Sequence, residues 1–188
     1  FGDYYQNFVQ NYDHAIGCYQ KAVKLAKEAE NRGREAIYLA LIAQVKALQN
    51  SLESGIYAEQ AYKLAKKIDD FCLCDVLEKI GHASGVLGDM KKANQFLHES
   101  LKVIERLRQK EPNPNIELEK RLFFTLLNFG ETEYQLERFD DGLRAREQAL
   151  MLANQQGNQI WTAYAHYEIG EMYHKVDNRD LAQEHMNQ

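Results

Sequence analysis

Residues 80–93 read IGHASGVLGDMKKA, and the spacing of small residues in this stretch decides the fold. Gly81 is followed seven residues later by Gly88 and five residues after that by Ala93. The same offsets recur in two later sets, Gly130, Glu137, Gly142 and Gly170, Asp177, Ala182. Self-similarity at a fixed period is typical of stacked helix pairs, so the sequence predicts an all-α repeat architecture.

Each copy continues into a second helix in which small and large residues alternate at helical spacing. In two earlier copies only this second half is clear, at Ala15, Tyr19, Ala22 and at Ala58, Tyr62, Ala65. Lys46 stands where the second copy should have its first-helix glycine. Small residues let paired helices approach closely, and a glycine or acidic residue between them permits a tight turn.

These residues resemble the tetratricopeptide repeat (TPR) family over nearly the whole chain. The resemblance implies one domain, a right-handed superhelical α-solenoid of about four to five antiparallel helix pairs, at residues 1–31, 34–69, 71–109, 116–155 and 159–188. Equivalent positions lie 35 to 49 residues apart, against about 34 in the family. Such long helices are similar to those of members that sense peptides in bacteria or act as cytoskeletal and polarity adaptors.

The pattern also predicts where helices begin and end. They cover residues 12–31, 34–49, 56–68, 71–87, 90–109, 116–136, 139–155, 159–176 and from 179 onward, after a remnant at 2–9. Gly33 is expected to end a helix in the left-handed cap position. Asp69 or Asp70 is expected to cap the following helix. Pro112 and Pro114 mark a loop over residues 110–115.

Composition narrows the classes of partner. The net charge of −5 argues against binding to duplex nucleic acid, and no apolar run is long enough to span a membrane. Residues 116–188 hold 13 acidic and 7 basic side chains, so we expect a protein or peptide partner that is basic or of mixed charge. Three cysteines favour reduced thiols and a cytoplasmic setting, with nuclear, cytoskeletal or ciliary locations open. Because the chain opens at Phe1 without methionine, we expect it to be a piece of a longer protein.

The resemblance implies a site on the first helices of successive pairs, which line a concave groove in the family. The positions that match are Glu78, His82, Asn128, Glu131, Tyr134, Tyr164, Tyr167 and Glu171. The alternative is that these side chains are only exposed or packed between helices. Some members hold a partner's terminal carboxylate with basic groove residues, but Glu78, Tyr164 and Glu168 occupy those positions here. We therefore expect no carboxylate clamp.

No grouping of residues predicts catalysis, a cofactor or a metal site. Cys74, Glu78 and His82 share a helix face, but they spread over about 12 Å, too far for one ion. Trp161 is expected to pack at the last interface. The sequence thus predicts a scaffold or adaptor that binds a peptide or helix, and not an enzyme. Two alternatives stay open: a peptide-sensing regulatory domain, or a structural subunit of a cytoskeletal or ciliary assembly held by basic residues such as Arg106 and Arg108. The oligomeric state is open as well.

Overall fold

The computed structural model describes residues 11–110 and 115–187, and every regular element in these two ranges is an α-helix. The predicted all-α class is therefore confirmed. A division between Glu111 and Pro112 separates two compact units. The N-terminal unit contains α1 (Tyr12–Glu28), α2 (Arg32–Leu48), α3 (Glu53–Ala65), α4 (Asp70–Val86) and α5 (Met90–Lys110). The C-terminal unit contains α6 (Ile116–Gln135), α7 (Phe139–Gln155), α8 (Gln159–Lys175) and α9 (Arg179–Met186).

The predicted helix limits agree with the observed ones to within three residues. The remnant predicted at residues 2–9 and the proline positions of the predicted loop lie outside the described residues. None of the described helices combines the length and apolar character that crossing a membrane requires.

Six turns between described helices share one backbone pattern, in which the second residue after a helix has a left-handed φ. The φ angles are 51° at Glu30, 53° at Asn50, 82° at Gly88, 62° at Glu137, 61° at Gly157 and 57° at Asp177. The next amide donates back into the helix, as Asn31 N does to the Ala26 carbonyl at 2.8 Å. This closure satisfies carbonyls that the helix end leaves without partners.

The expectation for Gly33 was wrong. Gly33 lies inside α2, which begins at Arg32, and Glu30 takes the left-handed position instead. The left-handed residue is the second one after the end of a helix. Because α1 ends at Glu28, that residue is Glu30. The predicted turn positions Gly88, Glu137 and Asp177 are confirmed.

The residue after the left-handed position often caps the next helix. The side chains of Asn31, Asp89, Asn158 and Asn178 accept hydrogen bonds from the amides of Arg34, Lys92, Trp161 and Leu181 at 3.0, 3.1, 3.1 and 3.4 Å. A single dipeptide therefore both ends one helix and starts the next. Of the two candidates at α4, Asp69 is the cap, and it accepts from Cys72 N at 2.7 Å.

Small residues bring the helices of each pair together. A Cβ added to Gly142 would lie 2.6 Å from the Gly130 carbonyl oxygen, and one added to Gly81 would lie 2.8 Å from Leu97 Cγ. Any side chain at Gly142 would collide with backbone that cannot give way, so the pair depends on glycine there. The close approach expected from the repeat is present.

The second copy has a different register from the one read from the sequence. Ser54 meets the first helix of its pair, because its hydroxyl donates to the Ala43 carbonyl at 2.8 Å and it is 1% exposed. The small residues Ala15, Ser54 and Ala93 then lie 39 residues apart. Serine can stand at this close-approach position, where other copies have alanine or glycine, because backbone satisfies its hydroxyl.

Within each unit the first helices of successive pairs run side by side in the same direction. In the N-terminal unit α4 lies along α2, with Gln44 beside His82. In the C-terminal unit α8 lies along α6, with Phe123 stacked on Trp161 and Glu131 beside Lys175. Trp161 is 9% exposed, so it packs as predicted.

Candidate functional site

In the N-terminal unit, the two predicted site residues lie one turn apart on α4 among other polar side chains. His82 Nδ1 lies 3.1 Å from Gln44 Nε2 of α2. Glu78 Oε2 lies 3.4 Å from Lys79 Nζ, which also reaches Asp75 Oδ1 at 2.7 Å. Burial lowers the pKa of His82; the charge of Glu78 opposes this and that of Lys79 adds to it. The arrangement is a half-buried polar patch whose groups satisfy one another.

In the C-terminal unit, aromatic rings form an exposed row across α6 and α8. Phe124, Tyr164 and Tyr167 are 36%, 44% and 51% exposed. The Phe124 and Tyr164 ring centroids lie 6.4 Å apart, and those of Tyr164 and Tyr167 lie 6.5 Å apart. Ile160, one turn before Tyr164, is also exposed. We call Phe124, Ile160, Tyr164 and Tyr167 the aromatic patch.

A buried arginine lies beneath two carboxylates next to this patch. Arg146 of α7 is 1% exposed. Its Nη2 lies 2.6 Å from Glu131 Oε2 of α6 and 3.2 Å from Glu168 Oε2 of α8. Its Nη1 donates to the Glu168 backbone carbonyl. One guanidinium thus ties three helices together and fixes where both carboxylates lie.

A second cation reaches Glu131 from the solvent side. Lys175 Nζ lies 3.2 Å from both Glu131 carboxylate oxygens and 5.2 Å from the centre of the Tyr134 ring. Burial acts to raise the pKa of Glu131, but hydrogen bonds from Gln135 and Lys175 and the charge of Arg146 outweigh it, and the pKa is lowered. Glu131 is therefore ionised at neutral pH.

The remaining predicted residues lie along the same face. Asn128 is one turn after Phe124 on α6, and Glu171 lies one turn after Tyr167 and one turn before Lys175 on α8. Both are half-buried. The pKa of Tyr164 is raised by burial and then by the Glu168 carboxylate, so its phenol stays neutral. All six predicted residues of the C-terminal unit thus share one face, which we call the α6/α8 face.

Arg146 and Lys175 were missed by the sequence analysis. In the repeat, Arg146 follows Gly142 by four residues, as Leu97 follows Ala93. A charged residue at a position that is apolar in another copy was the available signal, because such a residue must find partners when buried. Lys175 gave no such signal, since a lysine at a helix end is ordinary.

The described residues offer little support for a metal site or for a basic docking surface on α5. Over residues 11–110 and 115–187, no group of three or more His, Cys, Asp or Glu could hold a metal ion. Cys74 is buried, and its thiol donates to the Phe71 carbonyl at 3.2 Å rather than lying beside His82. On α5, Arg106 and Lys110 pair with Asp70 at 3.1 and 3.6 Å, so part of the basic surface is already neutralised.

Solved structures share this fold, although no protein-family model and no curated protein matches the chain. BtubC (BKLC) from P. vanneervenii has a TM-score of 0.72 at 17% identity, covering 94% of this chain and 72% of that one. A putative kinesin light chain of Podosopora anserina with nearly identical TPR-like repeats gives TM-scores of 0.70 and 0.68 in two crystal structures. Both are 14% identical and cover 98% of this chain and 87% of that one. The chain therefore has a TPR-like helical repeat fold.

Proposed function

We propose that the α6/α8 face binds a peptide or helix of another protein, and that the chain is an adaptor and not an enzyme. The observation that carries the proposal is the aromatic patch, which stays exposed although its rings lie side by side. Contiguous exposed apolar surface is characteristic of interaction sites. Tyrosine suits such a site because it offers a large contact area and has little rotamer freedom to lose.

Charge supports a basic or mixed-charge partner. On the α6/α8 face the carboxylates of Glu131, Glu168 and Glu171 outnumber the cations of Arg146 and Lys175 by one, and residues 116–188 carry 13 acidic against 7 basic side chains. A bound segment with an apolar anchor and a neighbouring positive charge would complement this surface. Glu78 and His82 extend the proposal to the N-terminal unit as a polar contact surface for the same kind of ligand. The described cysteines form no disulfide, which fits the cytoplasmic setting included in the proposal.

The proposal is tested with peptides selected from a displayed random library against the whole chain. We expect selected peptides to lose at least about tenfold in affinity when Tyr164→Ala and Tyr167→Ala are combined, because two large contact side chains are removed. The matched control is Met151→Ala, which removes an exposed apolar side chain from α7 in the same unit. Fluorescence anisotropy with labelled peptide gives the affinities.

Two outcomes would contradict the proposal. One is that the double tyrosine variant binds every selected peptide as the original chain does. The other is that charge reversal of Arg106 and Arg108 on α5 weakens binding, which would favour the structural-subunit alternative. A large change in scattering when peptide binds, with the tyrosine dependence intact, would instead indicate the peptide-sensing alternative.

A further inference from the structure

The side chain of Lys175 is held in a small cage on the α6/α8 face. Its ammonium lies 3.2 Å from each oxygen of Glu131 and 5.2 Å from the centre of the Tyr134 ring. A carboxylate beside the face of an aromatic ring is the combination that binds alkylammonium groups in proteins. The cage therefore has the chemistry of a cation site, and the cation within it belongs to the chain itself.

Neighbouring side chains other than Lys175 hold the Glu131 carboxylate and the Tyr134 ring in place. Buried Arg146 bonds Glu131 Oε2 at 2.6 Å, and Gln135 Nε2 donates to Glu131 Oε1 at 2.8 Å. The Tyr134 ring packs edge-on against Phe139, with centroids 6.5 Å apart. Because these contacts do not involve Lys175, carboxylate and ring would keep their positions if its ammonium left.

Lys175 itself is held weakly. Its side chain is 36% exposed, that of Glu131 is 38% exposed, and Lys175 is the last residue of α8. Ion pairs and cation–π contacts at such exposed sites each change an equilibrium by only a few-fold. A cation delivered by a bound segment can therefore replace Lys175, whose ammonium would return to water.

We propose that Glu131 and Tyr134 form a subsite for a lysine or arginine side chain of a bound segment, and that Lys175 occupies this subsite in the free protein. The source of the cation rests on the proposed function, since the segment is the one bound by the α6/α8 face. The cage itself does not, because a small ammonium ion can probe it directly. Removal of Lys175 should therefore strengthen the binding of cations at Glu131 and Tyr134.

The experiment titrates the whole chain with n-butylammonium, which reproduces the end of a lysine side chain, and follows the Tyr134 ring signals by NMR. We expect Lys175→Ala to bind the ion about threefold to tenfold more tightly than the original chain, because no internal competitor remains. Adding Glu131→Gln to Lys175→Ala should abolish the response. The matched neutral probe, n-butanol, should give no response in any variant.

Equal affinity of Lys175→Ala and the original chain would overturn the proposal, as would a response that persists after Glu131→Gln. Lys175→Gln is a second variant that removes the charge and keeps most of the length of the side chain, and it must behave like Lys175→Ala for the proposal to stand. Failure of the proposed function can be distinguished from failure of the cation subsite. In that case no selected peptide depends on Tyr164 and Tyr167, while the butylammonium titration is unaffected.

Discussion

At the scale of single residues, Arg146 explains most of the local architecture of the α6/α8 face. It replaces the leucine found at the same place in another repeat, and it is fully buried. A buried guanidinium is tolerated only where carboxylates and carbonyls surround it, and Glu131 and Glu168 meet that need from two helices. The positions of the two acidic side chains therefore follow from one charged residue in the core.

Replacing Arg146 by methionine is expected to lower the free energy of unfolding by about 2–3 kcal/mol, because two neighbouring carboxylates lose their shared cation. The value lies below that for a fully buried pair because both carboxylates reach solvent. Urea unfolding followed by circular dichroism measures it. Arg144→Met is the control on the same helix, since Arg144 is exposed, and it should change stability by less than about 0.5 kcal/mol. If the two variants were equally stable, Arg146 would not be the link between these helices.

The lowered pKa values of two histidines predict how the stability of the chain depends on pH. The pKa of His82 is lowered mainly by burial, and that of His166 by burial and then by the charge of His185, whose Nδ1 lies 3.0 Å from His166 Nδ1. A folded pKa below the unfolded value of about 6.5 means that the unfolded chain binds more protons. This contribution to stability is complete above a pH of about 6.5 and falls as the pH drops toward the folded pKa.

The chain should accordingly melt at a lower temperature at a pH of about 5.5 than at about 7.5. Glu131 does not contribute to the difference in stability between these two pH values, because its lowered pKa keeps it ionised at both. The double variant His82→Gln and His166→Gln should show a smaller difference. Unchanged or higher stability at the lower pH would show that neither histidine resists protonation in the folded chain.

The sequence, through its resemblance to the tetratricopeptide repeat family, could assign six residues to the first helices that form the α6/α8 face. It could not predict which of them share partners. The link between Glu131 and Glu168 requires a buried residue on a third helix, and no spacing along the chain relates Arg146 to both. Which tyrosines stay exposed depends likewise on packing between helices.

At the scale of elements, dipeptides at the turns decide where helices end and begin. In four turns a residue with left-handed φ precedes an asparagine or aspartate that caps the next helix. This local chemistry explains why the helix limits could be predicted closely from sequence. The error at Gly33 has the same origin, because glycine was given the cap position that Glu30 takes beside Asn31.

Asn158→Ala is expected to destabilise the chain by about 1 kcal/mol, because the amide of Trp161 loses its acceptor at the start of α8. Hydrogen exchange should speed up in the first turn of α8, the helix that carries Tyr164 and Tyr167. Asn158→Asp keeps an acceptor and should remain close to the original stability. Exchange that is equally slow in all three proteins would show that the cap does not hold this helix end.

At the scale of the whole molecule, two compact units each contain helix pairs of one repeat type. The number and order of described helices could be predicted because the close-approach glycines recur through the later copies. The register of the second copy could not, since Ser54 takes the place of alanine there. The acidic balance of residues 116–188 agrees with a face on which three carboxylates and two cations lie beside exposed tyrosines.

The central claim is that the α6/α8 face binds a protein segment, and a map of chemical-shift changes tests it most directly. The whole chain, with labelled tyrosine rings and isoleucine methyl groups, is titrated with a peptide selected for binding. We expect the signals of Ile160, Tyr164 and Tyr167 to shift together, while that of Ile56, exposed on α3, stays in place. Shifts confined to α3 or α5, with the Tyr164 and Tyr167 rings unchanged, would contradict the claim.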